Sequence, residues 1–244
     1  MKGFADIHCH MLYGLDDGAA EREDMIAMLT AAYENGTEAI CFTPHYEPES
    51  FDYSKGQMAA RFEEAKAYAA EHFPSMKLSL GHEMSYRFDC VERLLSGECL
   101  SLSGGRYVLI DFFGVSGLKE MSSILEKLWC AGYSPVIAHA ERYDFLNGKL
   151  RELVALSHEG AIIQLNSHSL MSKEKGSIAK KMAEKLLSHG VADIIASDAH
   201  SMAIRGPELR TCYEYVADKF GNEYAEMLFH TNPMCVINNQ IIRV

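Results

Sequence analysis

The segment Asp6-Ile7-His8-Cys9-His10 sets two imidazoles two residues apart in an apolar, strand-like run. On a β-strand such residues face the same side, so both can meet one metal ion. The pair alone is a weak signal. It gains weight because each later strand-like run also ends in groups able to bind a metal. Residues 39–42 run into Thr43-Pro44-His45, 78–81 into His82-Glu83, and 107–110 into Asp111. Residues 135–138 run into His139, and 194–197 into Asp198-Ala199-His200. Loops are polar in general, but imidazoles and carboxylates recurring at strand ends predict a site where those ends converge.

Imidazole and carboxylate donors without thiolate suit manganese, iron or zinc, with magnesium a further option. The donors outnumber those of a single catalytic zinc, so two or three ions are expected. Ions roughly 3.5–4 Å apart can clamp the oxygens of a phosphoryl group during in-line displacement, which makes phosphoester hydrolysis the natural reaction. Glu83, closing its strand in register with the other donors, is the expected bridging carboxylate, against the reading of an ordinary surface acid. His82 should face the opposite way. Asp16-Asp17-Gly18 is either a plain turn or a loop that carries Asp17 to a metal, and spacing leaves both open. Arg142 follows His139 by three residues and Arg205 follows His200 by five. They could clamp a phosphate at the rim or serve as surface ion-pair residues. His72, His158, His168, His189 and His230 lie away from the strand ends and are read as ordinary. No cysteine has an arginine six positions on, which excludes the common cysteine-phosphatase loop.

Elements that could position such a site alternate in the sequence. Strands are expected at residues 3–8, 39–42, 77–82, 106–110, 134–138, 161–165 and 193–196, seven in all, separated by segments of helical period. Helices are expected at 21–35, with Met25, Met28, Leu29 and Ala32 as its apolar stripe and Gly36 ending it, and at 55–71. A late helix is expected over 207–220, with Pro207 in its first turn, and a last one over 223–229. The pattern is α/β and predicts a distorted seven-stranded (β/α) barrel with its chemistry at the strand C-termini. An open doubly wound sheet is the alternative, weakened by the lack of a Gly-x-Gly-x-x-Gly or Gly-x-x-x-x-Gly-Lys-Ser/Thr motif.

A chain of 244 residues fits one such domain, 1–244. The formal charge of −11 argues against nucleic acid as a partner, since phosphate backbones recruit clustered Lys and Arg. No stretch approaches the roughly 20 apolar residues of a membrane span, and the first residues lead directly into a strand. Seven scattered cysteines without a Cys-x-x-Cys pair fit reduced thiols, so a cytoplasmic location is expected. Cys9, alternating with the two histidines, is read as core. A homo-oligomer is neither indicated nor excluded.

Asp6 to His10, Asp16-Asp17-Gly18, Thr43-Pro44-His45, Glu83, the segment Ala138-His139-Ala140-Glu141-Arg142-Tyr143 and the segment Ala196 to His200 together resemble the polymerase and histidinol phosphatase (PHP) superfamily. With the Asp-Asp-Gly loop, the His-x-Glu-Arg-Tyr segment and Asn232-Pro233, the resemblance narrows. It points to the bacterial manganese-dependent protein-tyrosine phosphatases of capsule and exopolysaccharide operons. It spans essentially the whole chain. It implies a distorted seven-stranded barrel with a trinuclear centre, acting on phosphotyrosine in a bacterial tyrosine kinase. It implies His8, His10, Asp17, His45, Glu83, Asp111, His139, Asp198 and His200 as ligands, and Arg142 and Arg205 on the phosphate. Asp111 departs from the pattern, which has Glu there, one methylene longer. A metal-bridged hydroxide would attack phosphorus, and His45, Asp17 or His200 could supply a proton to the leaving phenolate. Histidinol phosphatase or another small phosphoesterase is the rival within the superfamily, ahead of a nuclease-type domain or an amidohydrolase. A non-catalytic metal-stabilised binding module is the rival outside it.

Overall fold

Alternation of extended and helical segments runs through residues 3–242, which the computed structural model describes. The strands are β1 (Phe4–Asp6), β2 (Thr37–Phe42), β3 (His45–Tyr46), β4 (Lys77–Leu80), β5 (Glu83–Ser85), β6 (Tyr107–Asp111), β7 (Ser134–Ile137), β8 (Ile162–Asn166) and β9 (Ile194–Ala196). All pairings between them are parallel. One sheet has the order β1-β2-β4 and the other β3-β5-β6-β7-β8-β9. The nine strands among the described residues, where seven are expected, arise because two strands break: Thr43-Pro44 separates β2 from β3, and Gly81-His82 separates β4 from β5. Pro44 has no N–H for a ladder, and a Cβ at Gly81 would lie 2.9 Å from the Leu102 backbone. Beyond β9 the ring continues to β1: Asp198 N–H donates to His8 O and His10 N–H to Ala199 O, both at 2.8 Å. The result is a distorted barrel.

Among the described residues ten α-helices cover the strands: α1 (Arg22–Asn35), α2 (Lys55–His72), α3 (Cys90–Leu95), α4 (Leu118–Cys130), α5 (Leu150–His158), α6 (Ser167–Met171), α7 (Ile178–Ser188), α8 (Arg210–Phe220), α9 (Asn222–Glu226) and α10 (Asn232–Ile237). Helix α1 starts in a capping box of Glu21 with Asp24 and ends on Gly36 at φ 100°. Its buried residues are Met25, Met28, Leu29 and Ala32. Helix α2 starts with a capping box of Ser54 and Gln57. Two helix boundaries differ from the sequence pattern. Helix α8 begins at Arg210, not Pro207, because Asn35 Oδ1 caps it by accepting from the N–H groups of Leu209 and Arg210. The last helical segment does not stop at Phe229. It continues through a wide π turn, Met227–Thr231, into α10, where Pro233, which has no N–H to donate, stands in the first turn.

Val236 and Ile237 of α10 share one core cluster with Ala5, Ala39, Leu109, Val136 and Ile194 of five strands, at the end where those strands begin. The other end is left for polar groups. No helix among the described residues is long and apolar enough to cross a membrane.

Candidate metal centre

The segment after β1 keeps its alternation. Cys9 is buried in the core beside Phe42 and Ala199, while His8 and His10 turn to the other side, fully buried. His8 Nε2 lies 3.2 Å from Glu83 Oε2 and 3.3 Å from Asp198 Oδ1. His10 Nε2 lies 3.2 and 3.4 Å from the same two atoms. An ion with ligands at about 2.05 Å in a tetrahedron separates its donors by about 3.3 Å, which these distances match. Neither Nε2 has a hydrogen-bond partner despite complete burial. Two buried imidazole nitrogens without hydrogen bonds, each within 3.4 Å of the same two carboxylate oxygens, fit a divalent cation.

Two further groups adjoin this one. His10, Asp17, His45 and His200 form one set of donors within 4.8 Å of each other, and Glu83, Asp111 and His139 form another. Asp17 Oδ1 is 3.4 Å from both His45 Nε2 and His200 Nε2. His45 Nδ1 is 3.2 Å from Glu83 Oε2, and His139 Nε2 is 2.9 Å from Glu83 Oε1. Glu83 therefore touches two of the three groups with Oε2 and the third with Oε1, the placement expected of a bridging carboxylate. His82 turns away, accepting from Leu100 N–H through Nδ1 at 2.8 Å.

Electrostatics match the geometry. Burial alone would raise the Glu83 carboxyl, but His8 and His45 hold it well below the usual range. Asp198 is likewise held low, by His8 and His10 against burial. Burial pulls His8 down, yet Glu83 and Asp198 lift it to about 8. The cluster is thus a buried concentration of negative charge that demands cations.

Several supporting residues escape a reading by strand ends. Gln164 Oε1 accepts from His139 N–H at 3.0 Å, which makes it an acceptor for His8 Nδ1 at 3.0 Å and leaves Nε2 of His8 free for metal. Gln164 Nε2 donates to Asn166 Oδ1, and Asn166 Nδ2 donates to Asp198 Oδ2 at 2.6 Å. These two polar residues alternate along the buried strand β8, a period-two signal visible in Ile162-Ile163-Gln164-Leu165-Asn166. Asp16, not only Asp17, serves the centre: its Oδ2 pairs with His10 Nδ1 at 2.7 Å and accepts from His45 N–H at 2.9 Å. Gly18 closes this loop, since a Cβ there would lie 2.0 Å from His10 O. Tyr143 OH donates to Asp111 Oδ1 at 2.8 Å and accepts from Phe112 N–H; the His-x-Glu-Arg-Tyr motif contains it, but its contact with Asp111 is visible only in the fold. His139 and Asp198 adopt left-handed φ of 32° and 51°, an unfavourable backbone for non-glycine residues, found here at two donors.

A cavity of about 280 Å³ opens above the three groups. Arg142 and Arg205 line it. Their Nη1 atoms lie 3.5 and 2.5 Å from Asp198 Oδ2.

The family model for capsular polysaccharide synthesis, CpsB/CapC, matches residues 4–238. The chain belongs to that family. It is 31% identical over 241 residues to the tyrosine-protein phosphatase CpsB of Streptococcus pneumoniae, covering 97% of this chain and 99% of that relative. A solved structure from work on Bacillus subtilis YwqE and Streptococcus pneumoniae CpsB, termed unique metal-dependent tyrosine phosphatases, superposes with a TM-score of 0.89. It is 28% identical and covers 98% of this chain and 96% of that one. The histidinol phosphate phosphatase of Lactococcus lactis shares the fold, with a TM-score of 0.59 at 17% identity over 91% of this chain and 95% of its own.

Proposed function

We propose that this member of the CpsB/CapC family is a metal-dependent protein-tyrosine phosphatase acting as a single domain. The observation that carries the reading is the meeting of three overlapping donor groups with two guanidiniums in one cavity. His8, His10, Asp17, His45, Glu83, Asp111, His139, Asp198 and His200 would hold two or three manganese ions. Bound ions would supply the positive charge and activated water that phosphoester hydrolysis needs.

The chain's own residues bind and orient. Arg142 and Arg205 flank the cavity and present Nη donors to an entering phosphate, in competition with Asp198 Oδ2. Gln164 and Asp16 hold His8 and His10 in the tautomers that leave Nε2 free. The floor excludes water, since His8, His10, Glu83 and Asp198 are all buried. Asp17 and His200 line the cavity with His45, and whichever of these three holds no ion could pass a proton to the departing oxygen. Tyrosine, with an ordinary pKa of about 10, leaves readily as phenolate and asks little of such an acid.

Membership of a capsule-synthesis family supports a phosphotyrosyl substrate in a bacterial tyrosine kinase governing polysaccharide assembly. Seven free cysteines support a cytoplasmic setting. The test is hydrolysis of a phosphotyrosyl peptide, a phosphoseryl peptide and histidinol phosphate by metal-stripped protein refilled with manganese, zinc, iron or magnesium. The expected result is preference for phosphotyrosine with manganese. Preference for histidinol phosphate would overturn the substrate, and activity without metal would overturn the mechanism.

A further inference from the structure

Phe112 and Phe113 are neighbours with opposite fates. Phe112 is fully buried, edge-on to the Tyr143 ring, whereas Phe113 is 84% exposed. The burial of apolar surface is what drives folding, so a large aromatic left in water is notable when it borders a site. Phe113 does so: it lines the metal cavity together with Asp111 and Tyr143. The other strongly exposed apolar side chains, such as Phe88, Leu95 and Ile178, do not line it.

The backbone that carries the ring is held in place. Phe113 N–H donates to Asp111 Oδ1 at 2.8 Å, and Phe112 N–H donates to Tyr143 OH at 2.9 Å. Val115 N–H donates back to Phe112 O at 3.1 Å. Gly114, at φ 85°, then turns the chain away in a conformation that other residues rarely adopt. Phe113 is therefore presented on a short pinned turn. On its far side it borders a smaller groove with Tyr86 and Arg87, so it stands between that groove and the metal cavity.

We infer that Phe113 is a specificity-determining residue that packs against the aromatic ring of an aryl phosphate ester while the phosphate lies at the arginines. The inference rests on the phosphatase reading above and names the part of the substrate that this chain recognises besides phosphate. Aromatic rings favour offset or edge-to-face contact with one another. A phosphorylated serine, with no ring between phosphate and backbone, offers Phe113 nothing comparable.

The experiment compares Phe113→Ala and Phe113→Tyr with the wild type, each loaded with manganese and checked for metal content. The readout is the ratio of kcat/KM for a phosphotyrosyl peptide to that for the matched phosphoseryl peptide. The expected result is a fall of about tenfold in that ratio for Phe113→Ala, carried by KM, with the ratio restored in Phe113→Tyr. An unchanged ratio in Phe113→Ala, or an equal loss on both peptides, would overturn the assignment. Wild-type protein that ignores the phosphotyrosyl peptide would instead overturn the phosphatase reading, and this inference with it.

Discussion

Asp193 and Asp198 bracket the same short strand, β9, and both are buried, yet their proton affinities move in opposite directions. At Asp193 burial pushes the carboxyl up to about 6, and the one N–H it accepts, from Ile163 at 2.8 Å, offsets only part of that. At Asp198 burial is overcome by His8 and His10, and the carboxylate also accepts from Asn166 and Arg205. The contrast extends to the two ends of the barrel. At the end where the strands begin, three polar groups find protein partners: Asn232 Nδ2 donates to Asp193 O, Tyr107 OH to Gln240 O, and Ile242 N–H to Tyr107 OH. Around Asp198 the buried nitrogens His8 Nε2, His10 Nε2, His45 Nδ1 and His139 Nδ1 have no hydrogen-bond partner. One end is built for stability, the other keeps donors and charge in reserve for ligands.

The sharpest way to break this contrast is Asp198→Ala. Turnover of the phosphotyrosyl peptide should fall by more than about a hundredfold, while circular dichroism and the metal-free melting temperature stay near wild type. Near-wild-type rates would remove Asp198 from the centre.

Asp193→Asn probes the other end. The folded state keeps the Asp193 proton up to about pH 6, whereas the unfolded chain releases it near the ordinary aspartate value of 3.8. The folded state therefore loses stability as pH rises from about 4 to about 6, by up to about 3 kcal/mol above that window. Asparagine cannot ionise, so in urea unfolding the variant should gain on the wild type by an amount of that order between pH 4 and pH 7. A constant gap would show that Asp193 does not hold its proton.

The smallest expected effect sharpens the comparison within the open end. Tyr143→Phe removes the hydroxyl that donates to Asp111 Oδ1. Loss of such a supporting contact should weaken the ion at Glu83, Asp111 and His139 by about ten- to a hundredfold, with the other ions retained. Metal counting after dialysis at graded free manganese reads this directly, and unaltered stoichiometry at every concentration would contradict it.

Strand positions were legible because apolar runs of strand length end in polar residues, and helices α1 and α2 because caps and stripes are local. The breaks at Thr43-Pro44 and Gly81-His82 were not read, although a proline and a glycine mark both. The start of α8 could not be read, since its cap comes from Asn35, 175 residues before Arg210. Among the site residues, the support given by Asp16, Gln164, Asn166 and Tyr143 was missed. Asp16 sat beside the acid that was singled out, and Gln164 and Asn166 carried a period-two pattern in a strand that otherwise reads as core.

By itself, the amino-acid sequence determined which residue types stand at strand ends, and so the α/β class and most of the candidate donors, because alternation and caps act over a few residues, while the part of Asp17 and the two arginines came from the family resemblance. Only the tertiary structure decided that Glu83 reaches all three donor groups, which histidine nitrogens are left free, and that Phe113 borders the cavity while Phe112 does not. Those facts depend on side chains brought together from opposite ends of the chain, such as His8 with Asp198, and such distances are set by packing and not by spacing.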